Sequence, residues 1–588
     1  MAAPSDPAPT DPRLRRFPLP PLRHTLRLGA PADIWHKPAV SAVVALAALD
    51  FTLFGLGRLD LALYTSSGAL CALYGHGLPY PARARTLGWV TLGAVLSTAI
   101  ALTAASLTHS AAGLVAVAAA LAALHRTACD AARIGPPGNI IVTFTTASCA
   151  FVPQHLGQVP GHVALAALGA AVAWLVCMAP VLVRPLGPER IVTARALCAA
   201  ARLLRGEPAR RPATRTALAA AVNAARHTLA LSSGRAGARR RELAGLERLL
   251  VRCESALGAA DAVACPSSSP AVLSTASAET AARYDDWARE LRRNGPLPAV
   301  PLTPAEDAEL RGTAAADASA AARGQGRGHG HGPRFRDALR PGSPLLPIAL
   351  RVAVGCAAAG WVSLALGVGR PAWAVVTAAS VFQASAGMSW SRALQRVLGN
   401  LLGLVLFTAL LPVSRSGEPA LILLGLACQF CAEATIARSY WLASTFVTPM
   451  ALLMTEFVGY QPARTLVADR WLDTCVGAVL GLAACFLVTN RRTAGRLDVA
   501  LVALVAATDA ARSAVSSGAV AGGSVPVARE GLSRALVELR AAAEVASGEW
   551  WQRALPQTRI AAAERDGHLA LAALLDHCAA HHLAPACP

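Results

Sequence analysis

Apolar stretches that are nearly free of charge dominate this chain, and they fall into two groups of six. The first group lies at 39–57, 61–78, 87–108, 110–125, 138–155 and 163–183, and the second at 346–367, 371–387, 397–412, 418–435, 440–458 and 471–489. A membrane-spanning helix needs about 20 such residues. Only 15% of the residues are charged, against about 25% in soluble proteins. We therefore expect an all-α polytopic membrane protein with about twelve transmembrane helices.

Polar regions divide the chain into five predicted domains. These are a disordered Pro-rich tail at 1–37, a six-helix transmembrane unit at 38–183, a helical domain at 184–345, a second transmembrane unit at 346–489 and a helical C-terminal region at 490–588. The middle domain contains a Gly-rich linker at 323–334. Arginines cluster in the tail and in alternate loops, and the positive-inside rule therefore predicts that both termini and the middle domain are cytoplasmic.

The two transmembrane units resemble each other. The motif Thr143-Phe144-x-Thr146 matches Thr445-Phe446-x-Thr448, and Arg85-x-x-Gly88 matches Arg396-x-x-Gly399. Six spans return the chain to its starting side, so the repeats are predicted to be parallel and related by an axis along the membrane normal. Duplicated units of this kind are typical of transporters.

Composition and motifs argue against several function classes. The net charge of +19 does not indicate nucleic-acid binding, because the arginines are spread along the chain without interleaved aromatics. Lys37 is the only lysine, and no G-x-x-x-x-G-K loop is present, so the chain is not its own P-loop ATPase. Transport would need an ion gradient, downhill substrate flow or another subunit. Nucleophile elbows and H-E-x-x-H motifs are absent from the sequence, and we predict no enzymatic activity.

Metal and cofactor sites are not expected either. The fourteen cysteines lie mostly inside apolar runs, where cysteine behaves as a small hydrophobic residue. His329 and His331 fall in the Gly-rich linker, and His577 and His581 lie near the end of the chain. We interpret these histidines as parts of a linker and of a solvated helix end.

Two stretches share one arrangement of charge followed by glycine. In "SWSRALQRVLGNLLGLVLF", helical spacing puts Arg392, Arg396, Gly399 and Gly403 on one face. In "ADRWLDTCVGAVLG" the same holds for Arg470, Asp473, Gly477 and Gly481. Small-xxx-small faces let helices pack closely, so these arginines are predicted to point into protein rather than lipid.

An anion-binding hypothesis follows from that placement. Guanidinium binds carboxylate bidentately and stays charged, so Arg392 and Arg396 would attract an anion on the cytoplasmic side and Arg470 would do so outside. The alternative is that these arginines reach lipid headgroups or pair with Asp473 or Glu433. Either acid is a candidate proton carrier. Trp373 is a candidate for stacking on an aromatic substrate, or an interface anchor.

Four segments in the second unit resemble the fusaric acid resistance (FUSC) family, relatives of aromatic acid exporters. They are "RPAWAVVTAASVFQ", "SRALQRVLGNLLGLVL", "STFVTPMALL" and "RWLDTCVGAVLG", in family order, within residues 345–490. The resemblance implies proton-driven export of aromatic or other organic acids across the plasma (inner) membrane. The implied partners are the acid, protons and the lipid bilayer, with a homo-oligomer possible and the need for a periplasmic adaptor open.

The first unit departs from the family pattern. Its last span opens "VPGHVALAALGA", without the arginine and aspartate found in the second unit, so any coupling is predicted to lie in the second unit. Two alternatives remain open at this point. One is a passive organic-anion channel, and the other is a membrane scaffold for envelope proteins that transports nothing.

Overall fold

The computed structural model describes residues 25–29, 33–206, 211–232, 238–262, 270–300, 340, 343, 345–383, 385–488, 492–516, 524–547 and 557–580. Regular structure in these ranges is helical, without a β-strand, which confirms the all-α prediction. The Gly-rich linker, most of the predicted tail, and His329, His331 and His581 lie outside the described residues, as does the side chain of His577.

The helices form two membrane units and a polar domain. The first membrane unit contains α1 (His36–Gly55), α2 (Ala62–Ala69), α3 (Tyr80–Leu107), α4 (Ala111–Ala131), α5 (Ile140–Ala150) and α6 (Val159–Met178). Four helices follow it, α7 (Gly187–Arg205), α8 (Arg211–Ser232), α9 (Ala238–Ala262) and α10 (Pro270–Arg293). The second membrane unit contains α11 (Leu346–Ala365), α12 (Pro371–Val381), α13 (Ala386–Ser414), α14 (Glu418–Ile436), α15 (Tyr440–Glu456) and α16 (Ala463–Leu487). The chain ends with α17 (Arg492–Ser516), α18 (Ser524–Ser547) and α19 (Gln557–Ala580).

In the part of the chain that the structure describes, nine helices are long and apolar enough to cross a membrane. Eight lie in the membrane units (α1, α3, α4 and the helix around α6; α11, α13, α14 and α16), and the ninth is Gly495–Ser516 within α17. All twelve predicted stretches contain helix, but some helices are short. α5 and α12 have 11 residues each, or about 16 Å at 1.5 Å per residue, against a hydrocarbon core of about 30 Å. The predicted arrangement of twelve transmembrane helices is therefore not confirmed.

Each membrane unit begins and ends on the same side. In the second unit, Arg351 near the start of α11 donates two hydrogen bonds to the carbonyl oxygen of Val488, just after α16, at 3.0 and 2.7 Å. In the first unit, His36 at the start of α1 and Arg184, which follows α6, line one cavity. The start and the end of each unit therefore lie close together, as an even number of membrane crossings would require.

The units also contact each other in a reciprocal way. α1 of the first unit packs against α14 of the second, and α11 of the second packs against α4 of the first. In the order of the twelve apolar stretches, the first helix of each unit thus meets the fourth helix of the other. Arg126 on α4 adds a hydrogen bond to the carbonyl oxygen of Phe382, after α12, at 3.2 Å.

One hydrophobic core joins α7–α10 to α17–α19, which together make up the polar domain. Its fully buried leucines come from both parts of the chain, namely Leu197, Leu218, Leu246, Leu249, Leu504, Leu532, Leu539 and Leu574. α17 turns Leu497, Leu501 and Leu504 toward this core and packs on α18 and α19. The two helical regions that flank the second unit in sequence therefore form a single body.

Candidate functional site

Close helix packing in the second membrane unit is set by four glycines. A Cβ atom at Gly477 would lie 2.6 Å from the carbonyl oxygen of Ala374 on α12, and one at Gly481 would lie 3.1 Å from the Cα of Ala378. On α13, a Cβ at Gly403 would lie 2.6 Å from the Cβ of Thr448 on α15, and Gly399 meets the carbonyl of Trp441 and the side chain of Ser444. α16 thus lies against α12, and α13 against α15, at distances that only glycine permits.

Arg470 lies at the centre of this packing. Its side chain is 0% exposed, because the glycine face that continues from it turns inward. None of its three guanidinium nitrogens has a hydrogen-bond partner among the described residues. Its main contact is the face of Trp373, whose ring centroid lies 5.0 Å from the guanidinium carbon. A buried guanidinium that lacks an acidic partner is costly in a membrane protein.

Trp373 contacts a second arginine as well. The guanidinium carbon of Arg370, which precedes α12, lies 5.0 Å from the same ring centroid, and Arg370 also donates a hydrogen bond to Gln461. Two cations on one indole ring form a pair of cation–π contacts. Trp373 itself is buried, at 5% exposure. Its ring is therefore part of the interior rather than an anchor at the lipid interface.

Arg392 and Arg396 meet a second aromatic ring. Tyr440, the first residue of α15, lies with its ring centroid 3.2 Å from the guanidinium carbon of Arg392. Arg396 donates a hydrogen bond from Nη1 to the hydroxyl of Tyr440 at 3.4 Å. The side chain of Arg396 is buried, and its Nε and that of Arg392 have no hydrogen-bond partner in the described ranges.

Asn400 joins these two groups. It lies one turn beyond Arg396 on α13, and its Nδ2 donates to the carbonyl oxygen of Arg470 at 3.4 Å. Thr448 on α15 donates to Asn400 Oδ1 at 3.0 Å. Arg396 and Arg470 lie within electrostatic range of each other. The arginines predicted at opposite lips therefore converge, and we call Arg370, Arg392, Arg396 and Arg470 the cation row.

No carboxylate among the described residues forms a salt bridge with any member of the cation row. Asp473 is fully buried, but its Oδ1 accepts a hydrogen bond from Ser363 on α11 at 2.5 Å and its Oδ2 has no partner in the described chain. Glu433 lies on α14, whose main neighbours are α15 and α1, and it forms no salt bridge with the row among the described residues. The structure therefore brings Asp473 next to the row without pairing it, and it leaves Glu433 apart.

The segment Thr25–Gly29 lies beside the end of the cation row that contains Arg392. The carbonyl oxygen of Thr25 accepts from Gln395 Nε2 at 2.5 Å, and that of Leu26 accepts from Trp441 Nε1 at 3.3 Å. The amide of Gly29 donates to the carbonyl oxygen of Arg438 at 2.7 Å. This part of the tail that was predicted to be disordered is therefore bonded to α13 and to the loop before α15.

The first membrane unit has neutral polar contacts in place of a cation row. Tyr64 and His162 stack with ring centroids 3.9 Å apart, and Gln154 hydrogen-bonds both of them. The buried His125 lies between Ser97, at 2.8 Å, and Thr143, at 3.2 Å. These contacts differ from those of the second unit, although the first unit also contains the buried charged residues Arg83 and Asp50.

Four members of this site were not singled out as site residues from the sequence, namely Arg370, Asn400, Ser363 and Tyr440. Asn400 could have been predicted from helical spacing, because it extends the face of Arg392 and Arg396 by one further turn. Tyr440 lies at a span end, where an aromatic residue is usually an interface anchor, so its position did not indicate a site residue. No sequence pattern indicated that Ser363 and Arg370 belong to the site, because their positions depend on how α11 and α12 pack on α16.

The segment that holds this site has known relatives. Residues 357–484 match the fusaric acid resistance protein-like family. The resemblance to that family is thus confirmed, and the family segment contains the whole cation row and Asp473. An uncharacterized membrane protein, YvaC of Bacillus subtilis (strain 168), is 33% identical over 164 residues, which is 28% of this chain and 26% of YvaC. No solved structure shows a significant match. With its apolar helices and its family segment, the chain is a multi-pass membrane protein.

Proposed function

We propose that this protein is a secondary transporter that exports aromatic or other organic acids, and that the cation row is its anion-binding site. One observation carries the proposal, namely that Arg470 is fully buried and has neither a carboxylate nor a hydrogen-bond partner among the described residues. An organic carboxylate would supply the missing charge and accept two parallel hydrogen bonds from the guanidinium. Export as the direction of transport is taken from the family resemblance.

An aromatic acid suits the surroundings of Arg470. Trp373 lies in cation–π contact with both Arg470 and Arg370, so the ring of an aromatic acid could pack on the indole while its carboxylate binds a guanidinium. Tyr440 and the two arginines beside it repeat that combination of ring and cation on the far side of Asn400. A substrate anion moving along the cation row would therefore pass from one ring-and-arginine pair to the next.

Asp473 is the proposed proton carrier. It is buried next to Arg470 in sequence and space, yet its only hydrogen bond within the described part of the chain is from the hydroxyl of Ser363. A buried carboxylate without a cationic partner is poised to bind a proton, and losing that proton would let it compete with the substrate for Arg470. Deprotonation of Asp473 would thus be coupled to release of the anion from Arg470.

The proposed topology is two parallel repeats of six segments in the inner membrane, with the polar domain and both termini in the cytoplasm. The reciprocal packing of α1 on α14 and of α11 on α4 supports an axis along the membrane normal. The start and the end of each unit lie close together. This supports an even number of crossings in each unit and the placement of the whole polar domain on one side of the membrane. Arginine-rich loops on that side support its being the cytoplasm.

Transport by the purified full chain in liposomes tests the proposal, with radiolabelled benzoate as the probe and an imposed pH gradient. We expect gradient-driven uptake that Arg470→Gln removes and Arg470→Lys restores only in part, because an ammonium lacks the bidentate geometry. Arg464→Gln is the matched control, since Arg464 is an exposed arginine in the first turn of the same helix. Asp473→Asn is expected to abolish the response to the pH gradient while benzoate exchange continues.

Two results would overturn parts of the proposal. If Arg470→Gln transported benzoate as well as Arg464→Gln does, the cation row would not be the anion site. Electrical recording from the same liposomes distinguishes the mechanism, because currents far above carrier turnover would identify a passive anion channel instead.

A further inference from the structure

A cavity of about 290 Å³ lies between the first membrane unit and the polar domain, far from the family segment in sequence. It is bordered by the start of α1, the end of α6, the start of α7 and the end of α10. Its volume is at the lower end of the range for small-ligand sites, about 300–1,000 Å³. The cavity is thus large enough for a headgroup-sized ligand.

The lining of this cavity is basic. Its titratable side chains that carry or gain positive charge are His36, Lys37, His76, Arg83, Arg184, Arg190 and Arg292, and no Asp or Glu lines it. Tyr80 and Cys177 also contribute to the wall. The nearby Glu189 turns into the polar domain, where its carboxylate accepts a hydrogen bond from Ser232 at 2.6 Å.

Several of these cations already have partners. Arg190 pairs with Glu242, and Arg292 pairs with Asp33 at 3.1 Å. The buried Arg83 donates to four carbonyl oxygens, those of Gly75, His76, Leu78 and Cys177, at 2.8–3.3 Å. These contacts fix the positions of Arg190, Arg292 and Arg83, and they occupy most of the N–H donors of Arg83.

Lys37 and Arg184 differ from these cations in their lack of side-chain partners among the described residues. Neither forms a salt bridge or a side-chain hydrogen bond with any residue that the structure describes. Lys37 lies in the first turn of α1, a helix whose N-terminus has neither a side-chain cap nor an acidic residue. The amide groups and the dipole of such an end add to the positive potential. α7, which also borders the cavity, begins without a side-chain cap but has Glu189 in its first turn.

We propose that this cavity binds a phosphate-bearing anion, held by Lys37 and Arg184 between α1 and α7. A phosphate group matches the site because it offers several acceptor oxygens and up to two charges to the cations that line the cavity. The position at the start of a membrane helix admits two sources of that chemistry, the headgroup of an anionic phospholipid and a soluble phosphate compound. In either case the ligand would join the first membrane unit to the polar domain. The inference is independent of the proposed transport site.

The test uses the purified full chain in nanodiscs of phosphatidylcholine and measures its unfolding temperature. One arm adds inorganic pyrophosphate, and the other replaces part of the lipid with phosphatidylglycerol. We expect stabilisation in at least one arm, and the arm that responds identifies the source. Lys37→Gln and Arg184→Gln are each expected to weaken the response about 10-fold, since each removes a charge-assisted hydrogen bond. Arg184→Lys is expected to retain most of it.

Arg85→Gln is the matched control, because Arg85 is exposed on the same helix as Arg83 and does not line the cavity. It is expected to respond as the unmodified chain does. The proposal is overturned if neither probe stabilises the unmodified chain, or if Arg184→Gln responds as strongly as Arg184→Lys. It is equally overturned if Arg85→Gln loses as much of the response as Arg184→Gln.

Discussion

The guanidinium carbon of Arg470 lies 5.0 Å from the ring centroid of Trp373, and this contact links α16 to α12 in the interior of the second membrane unit. The guanidinium carbon of Arg370 lies at the same distance from this ring. Trp373 therefore contacts two like charges. The geometry of the anion site depends on this ring as much as on the arginines.

Replacing Trp373 separates the role of the ring from that of its bulk. Trp373→Phe keeps a π-face and is expected to retain most benzoate uptake. Trp373→Leu is expected to raise the half-saturating concentration about 30-fold, given that a desolvated cation–π contact is worth about 2 kcal/mol. The measurement is uptake at a series of benzoate concentrations, normalised to folded protein. Trp89→Leu, at an indole that is 74% exposed on α3, should leave uptake unchanged. Equal effects of the Phe and Leu variants would contradict the role given to the ring.

Tyr440 makes two separable contacts with the cation row. Tyr440→Phe removes only the hydroxyl that accepts from Arg396 at 3.4 Å, and a hydrogen bond of that length is weak. Tyr440→Leu also removes the ring beneath Arg392. We expect mild loss of uptake for the first change and severe loss for the second. A severe effect of Tyr440→Phe would show instead that the hydroxyl is the essential group.

Gly477 and Gly88 provide a paired test of helix packing. A Cβ atom at Gly477 would meet α12 at 2.6 Å, whereas one at Gly88 on α3 would have no atom within 4 Å. Gly477→Ala is expected to destabilise the protein by about 1–3 kcal/mol through overpacking. Gly88→Ala is expected to be neutral or slightly stabilising, because alanine favours the helix. Thermal unfolding in detergent measures both, and a cost at Gly88 as large as at Gly477 would refute the packing assignment.

His568 on α19 predicts how the polar domain responds to acid. Burial, and then the charge of Arg215, hold the pKa of His568 below its usual value. A group with a lowered pKa in the folded state favours folding when it is neutral, so its contribution is present above the ordinary His pKa of about 6.5 and is lost as the pH falls below it. We expect the unfolding temperature to fall on acidification, and to fall less in His568→Gln. An identical pH profile in that variant would show that other groups cause the acid sensitivity.

Helical periodicity was enough to predict much of this site. It put Gly477 and Gly481 on the face of Arg470 and Asp473, and the structure places all four in the interior. It did not predict that Arg396 and Arg470 approach each other, because that depends on where α13 and α16 cross. Nor did it predict that Asp473 would turn to Ser363, since i, i+3 spacing brings two side chains onto one face without fixing their rotamers.

Hydropathy was similarly informative about where helices form and less informative about their length. The stretch 371–387 is apolar throughout, yet α12 ends at Val381 and the backbone is extended at Phe382. Ser385 then caps the next helix by accepting a hydrogen bond from the amide of Met388. Local capping of this kind divides an apolar run without changing its hydropathy.

The placement of Lys37 has a practical consequence for chemistry on this protein. As the only lysine in 588 residues, it is the only side-chain amine that an acylating reagent can find, and it borders the basic cavity. Amine-directed labels would therefore attach to a side chain only at that location, apart from any label on the α-amino group of the N-terminus. Occupancy of the cavity becomes readable as protection of a single residue from acylation.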